Sequence, residues 1–190
     1  MNRTEFTSDT KLLEIQVGDD LIRIPANYVR FGNQRKTPVT DQLDLVYSFP
    51  ELSGYSQARK SVFNTSGNES SLVHVSLRQR KLSFDMSNRL TPIYSQLFEG
   101  SPRAGPAGLI FQPLRTGSGY DGEILAIGNN NGRKWVARCQ TPQSNVRPIC
   151  IRDIFVGRSI SALHSFPHHM LESWIEIENK TTEFLKTKIN

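Results

Sequence analysis

The chain has 190 residues, of which 37% are hydrophobic and 22% charged, and 23 Lys and Arg against 18 Asp and Glu give a formal charge of +5. That balance is ordinary globular usage, which excludes a wholly disordered chain; no apolar run approaches the roughly 18 residues of a membrane helix, and no signal-peptide block occupies the first thirty positions. Length predicts one domain over 11–190 behind a flexible polar tail at 1–10.

Leu12, Ile15 and Val17, then Leu21, Ile22 and Ile24, flank Gly18-Asp19-Asp20 and predict a hairpin with a tight turn. Pro25 has no N–H to donate, so the chain turns away there. The apolar run at 43–49, bounded by Asp41 and Pro50, suits one buried strand and is too short for a helix. A short helix is expected within 56–64, with Ala58, Val62 and Phe63 inward, followed by a polar loop to Ser71. Positions 72–84 then read as a long strand whose outer face carries Arg78, Arg80 and Lys81. Ser87 or Asn88 is placed to cap a second short helix over Leu90, Ile93, Tyr94, Leu97 and Phe98, with Pro92 in its first turn and Gly100 as its stop.

The glycines and prolines of 100–108 form a loop. Strand signals recur at 109–111, 123–127 and 135–139, separated by Gly-rich turns at 117–119 and 128–132, and continue at 149–156 and 160–166 around Gly157-Arg158. From His168 onward Met170, Leu171, Trp174, Ile175, Ile177, Phe184 and Leu185 recur at helical spacing. The predicted fold class is α+β: an antiparallel meander sheet with two short helices and a C-terminal amphipathic helix packed on it.

Cys139 and Cys150 are separated by ten residues rich in turn formers, among them Pro142, Ser144, Asn145 and Pro148. That spacing lets two antiparallel strands bring the sulfurs together, which would stabilise the fold by ~2–3 kcal/mol and place the chain outside the cytosol. The alternative is a pair of reduced, buried thiols. His164, His168 and His169 lack matched ligand spacing, because neighbouring residues on a helix point apart; no metal is expected. The serine in Gly117-Ser118-Gly119 lacks the spacing of a nucleophile elbow, and Gly128-Asn129-Asn130-Asn131-Gly132 lacks the Lys-Ser/Thr of a phosphate loop, so both read as turns. Asp19-Asp20 and Asp41/Asp44 read as solvated acids of turns and strand edges. Sequons at Asn2, Asn64, Asn68 and Asn179 discriminate little.

Ile24-Pro25-Ala26-Asn27-Tyr28 follows the hairpin, and the chain then runs through Leu45-Val46-Tyr47-Ser48-Phe49-Pro50-Glu51-Leu52-Ser53-Gly54-Tyr55. Near the carboxyl end come Cys139, Cys150-Ile151-Arg152, a strand pair ending at Phe166-Pro167, and Leu171-x-x-Trp174-x-x-Ile177. Together these segments resemble an uncharacterised group of small exported or membrane-anchored bacterial proteins whose genes often accompany type VI secretion effectors. The resemblance implies a periplasmic immunity or accessory role and leaves room for a membrane anchor ahead of Met1. It implies a non-enzymatic protein without a cofactor, whose partner is a cognate secreted effector protein; no nucleic acid is expected. Such an interface buries on the order of 1,600 Å² around aromatic and Arg anchors. Loop residues of those types, Arg35, Tyr55, Arg103, Tyr120 and Arg133, are the candidate partner contacts. Two rival readings are a small hydrolase using His164 or His169, and a binder of nucleic acid or another anionic surface using Arg78, Arg80, Lys81 and Arg133.

Overall fold

A computed structural model describes residues 5–141 and 148–190. Pro142, Ser144 and Asn145 of the expected inter-cysteine loop lie outside the described residues, as do Asn2 and the side chain of Asn68. The first hairpin forms as expected, with β1 (Leu12–Val17) and β2 (Asp20–Pro25) antiparallel around Gly18-Asp19, and the chain leaves it at Pro25. Next come β3 (Gln42–Ser48), the short helix α1 (Lys60–Asn64) and β4 (Leu72–Gln79). From there β5 (Arg103–Ala104), β6 (Ile110–Pro113), β7 (Glu123–Asn130), β8 (Arg133–Gln140), β9 (Ile149–Val156) and β10 (Ile160–Pro167) run as an antiparallel meander. Asn131 and Gly132, at φ of 52° and 82°, make the two-residue β7–β8 turn, the left-handed backbone that such hairpins favour.

Strand order in the large sheet is β3-β4-β10-β9-β8-β7-β6-β5. The last strand of the meander therefore returns to pair with β4, from Ile160↔Gln79 to Ser165↔His74. Alternation divides the sheet into two faces. On one, Leu43, Leu45 and Tyr47 of β3, Val73, Val75 and Leu77 of β4, Ala162 and Phe166 of β10, and Trp135 and Ala137 of β8 form a single core with the first hairpin and the last helix. That helix, α2 (Trp174–Lys186), follows a 3-10 segment at His168–Ser173 and buries Trp174, Ile177, Thr181 and Leu185. Beyond it the tail pairs with β2, the Arg23 N–H donating to the Lys188 carbonyl at 2.8 Å.

The sheet is stitched unevenly. β8 and β9 pair only at Arg138↔Ile151 and Cys139↔Cys150, and the two cysteines form a disulfide there. Further along, Arg152 does the work of the absent ladder: it is 5% exposed and donates from Nη1 to the Val136 carbonyl at 2.9 Å and to Ser87 Oγ at 2.8 Å. Its Nε and Nη2 clamp the Glu178 carboxylate of α2 at 2.8 and 2.7 Å. A buried backbone carbonyl left without its strand partner has to find another donor, and Arg supplies one while carrying its own counterion.

Several local expectations change. Phe6, in the tail expected to be flexible, stacks on Tyr55 at 5.3 Å and meets Phe63 edge-on at 5.1 Å, because an aromatic ring so placed removes its surface from water. β4 ends at Gln79, opposite Ile160 at the start of β10, and 80–85 leaves the sheet. The helix expected near 90–98 is instead a run of turns closing in a 3-10 turn at Tyr94–Leu97, since Pro92 donates no bond and its ring crowds the carbonyl four residues back. Asp20 and Asp44 are not solvated. Asp20 is fully buried and accepts the N–H groups of Arg158 and Ser159 at 2.7 Å each, docking the first hairpin onto the β9–β10 turn. Burial raises its carboxyl, and these bonds outweigh that, for a net downward shift. Asp44 is held by Ser76 Oγ and by the amides of Gln34 and Gln42.

Candidate functional site

Among the described residues, two apolar clusters cover parts of the second face of the sheet. In one, Val46 and Leu72 pack with Tyr55 and Phe63; in the other, Leu125 and Val136 pack under Met86, Tyr94 and Leu114. Between these clusters lies a groove of about 710 Å³. Its floor comes from alternate residues of four strands: Ser76 and Arg78 of β4, Ser161 and Leu163 of β10, Asp153 and Phe155 of β9, and Arg138 of β8. The 80–89 segment forms a wall with Arg80, Lys81, Leu82 and Arg89. Leu82 and Phe84 are 56% and 53% exposed.

The groove is cationic, with five Arg and Lys side chains against Asp41 and Asp153. Asp153 is neutralised by Arg89, and it is burial, outweighing that ion pair, that raises its carboxyl above the usual range. Arg138 lies 3.4 Å from Glu123 and covers the Tyr120 ring at 4.7 Å. Arg80 differs from both. No carboxylate pairs with it among the described residues; its guanidinium sits 4.0 Å over the Phe155 ring, and its Nε, like that of Arg138, is buried without a hydrogen-bond partner.

The five residues selected from sequence do not form one patch. Tyr55 is buried, 9% exposed, between Phe6 and Phe63, which corrects its reading as an exposed loop anchor: three rings cover more apolar surface together than one ring in water. Arg35 is half-buried and donates to the Val29 carbonyl at 2.8 Å, beside edge strand β3. Arg103 is exposed on β5 at the opposite edge, seven strand spacings or roughly 33 Å away. Tyr120 is half-buried under Arg138, and Arg133 is exposed at the β7–β8 turn, outside the groove lining. Arg78, Arg80 and Lys81, by contrast, are brought together with Arg89 and Arg138. Alternation along β4 put Arg78 and Arg80 on one face in the sequence; nothing there placed Arg138 or Phe155 beside them.

His164 is 1% exposed, on the covered face with Ala162 and Phe166. Burial holds its imidazole down at about 4, only partly offset by Glu178. Sealed beneath α2, it has no route to a substrate. Among the described residues no cluster of His, Cys, Asp or Glu is placed to hold a metal.

Two solved structures share this architecture from end to end. One is an immunity protein of the Stenotrophomonas maltophilia type IV secretion system, at TM-score 0.63 and 13% identity over 99% of this chain and 98% of that one. The other is the iron-regulated outer membrane lipoprotein FrpD of Neisseria meningitidis, at TM-score 0.58 and 9% identity over 98% and 96%. The fold is common to all three. No family model and no curated protein matches the sequence.

Proposed function

We propose that this chain is a non-enzymatic immunity protein that binds a secreted antibacterial effector and neutralises it by covering its active surface. The observation that carries the reading is the end-to-end fold match to a secretion-system immunity protein, with neither chain left over. The Cys139–Cys150 disulfide supports a periplasmic site of action, because such a bridge persists in oxidising compartments and is reduced in the cytosol. The second match, to an outer membrane lipoprotein, supports the same side of the inner membrane and fits an anchor ahead of Met1. Within this reading Arg35, Arg103, Tyr120 and Arg133 are outlying contacts, and the effector belongs to a type VI system, as the sequence resemblance implies.

Expression of the neighbouring effector gene in a bacterial host, with this chain sent to the periplasm or retained in the cytosol, tests the reading. Growth should be rescued by the exported form alone, and the two proteins should co-elute. Absence of both rescue and complex would rule the immunity role out. Rescue by the cytosolic form would rule out the compartment.

A further inference from the structure

We infer that the groove over β4, β10 and β9 receives an extended acidic segment of the protein partner, with Arg80, seated on Phe155, as its carboxylate anchor. The inference deepens the immunity reading and rests on it for the identity of the partner as a protein. Three observations converge on this surface.

The first is coverage. A sheet in a folded domain buries its faces against other layers, and here, among the described residues, the middle of one face carries neither helix nor hairpin. Its floor is built from interior strands of the sheet, so the side chains that line it stand on a rigid platform.

The second is the state of the charges. Arg89 and Arg138 already have acidic neighbours in Asp153 and Glu123. Arg78, Arg80 and Lys81 have none among the described residues. Arg80 is also held flat on the Phe155 ring, 4.0 Å from its centroid. A stacked guanidinium has already lost much of its rotamer freedom and presents its planar fork for bidentate pairing with a carboxylate.

The third is the mixture of surfaces. Leu82 and Leu163 line the groove beside the cations, and Phe84 is exposed on the same loop. Apolar contacts of this kind suit a polypeptide whose acidic side chains alternate with hydrophobic ones. They do little for a polyphosphate, whose binding is carried by its charge alone. The volume of about 710 Å³ accommodates several side chains of a strand or loop.

The test uses a fluorescent peptide of alternating Glu and Leu, its twin with Gln for Glu, and a single-stranded oligonucleotide of equal negative charge. Each is titrated by anisotropy against the full chain. The acidic peptide should bind, weaken with added salt, and lose roughly tenfold to a hundredfold in affinity with Arg80→Glu, as expected for loss of a charged hydrogen-bonded pair. Arg80→Lys should recover only part of the loss, whereas Lys186→Glu, exposed at the end of α2 across the sheet, should leave binding unchanged. Equal binding of the Gln twin, or an Arg80→Glu chain that binds as tightly as the native one, would overturn the proposal. So would tighter binding of the oligonucleotide lost in the same variant, which would assign the groove to nucleic acid. The immunity reading is decided separately. A native chain that binds its effector, with an Arg80→Glu variant that binds it equally, removes the groove and leaves immunity standing; a native chain that neither binds nor protects removes immunity, while the peptide titration still decides the groove.

Discussion

Along β10, Ile160, Ala162, His164 and Phe166 turn to one side of the sheet and are buried by α2 and the first hairpin, while Ser161, Leu163 and Ser165 turn to the other and stay half-buried. The same strands thus build two surfaces of different character. On the covered face the principal charges are matched: Arg152 satisfies Glu178, Val136 and Ser87 at once. Burial raises the Glu178 carboxyl and the Arg152 bonds more than reverse that, leaving it below the usual range. On the open face Arg78, Arg80 and Lys81 stand beside one another without acidic partners among the described residues. Removal from water makes an unpaired charge expensive, so a surface that tolerates several adjacent cations is one that solvent, or a partner, reaches.

The largest test of this contrast lies at Arg152. Arg152→Ala should cost about 3–5 kcal/mol in urea unfolding, because it strands the Glu178 carboxylate in a buried site; replacing both partners, Arg152→Met with Glu178→Leu, should restore most of the loss. A cost under ~1 kcal/mol for the single variant would mean that the wedge between β8 and β9 is not closed.

Acid should act next. His164 takes up its proton near 6.5 when unfolded and at about 4 when folded, so the unfolded chain binds more protons between these values. Stability is then complete above about pH 6.5 and falls as pH drops towards 4, by about 2 kcal/mol between pH 7 and pH 5 from this residue alone. His74, also held at about 4 by burial and by Arg30, against the opposing pull of Asp44, adds in the same direction. His164→Leu should flatten the profile measured by urea titration at the two pH values. An unchanged slope would place the acid sensitivity elsewhere.

Reduction of the Cys139–Cys150 bridge, or Cys139→Ala with Cys150→Ala, should cost about 2–3 kcal/mol, the loop entropy of a short closed segment, read as a lower urea midpoint at constant slope. Smallest of all, Ser161→Ala and Arg78→Ala on the open face should leave stability within about 0.5 kcal/mol. A loss above 2 kcal/mol at either would mean that the groove is part of the core.

Much of the fold could be read locally. The last helix announced itself through Trp174, Ile177 and Leu185, and the β7–β8 and β9–β10 hairpins through alternation around glycine turns. The spacing of Cys139 and Cys150 allowed either a bridge or two buried thiols, and the structure forms the bridge. The candidate surface was only half legible. Arg78 and Arg80 shared a face by alternation, but Tyr55 gave no sign that Phe6, 49 positions earlier, would cover it. The acids at 20 and 44 resembled any others in turns until their donors arrived from distant segments.

What the sequence determined by itself is the list of elements and the alternation within them, because hydrogen bonding and periodic burial act over a few neighbouring residues. The tertiary structure alone decided that β10 would close against β4, that Arg152 would replace the missing ladder between β8 and β9, and that five cations from separate segments would meet over one uncovered floor. Each of these depends on which surfaces find one another after long loops close, and loop entropy varies too slowly with chain length for spacing to specify the partner.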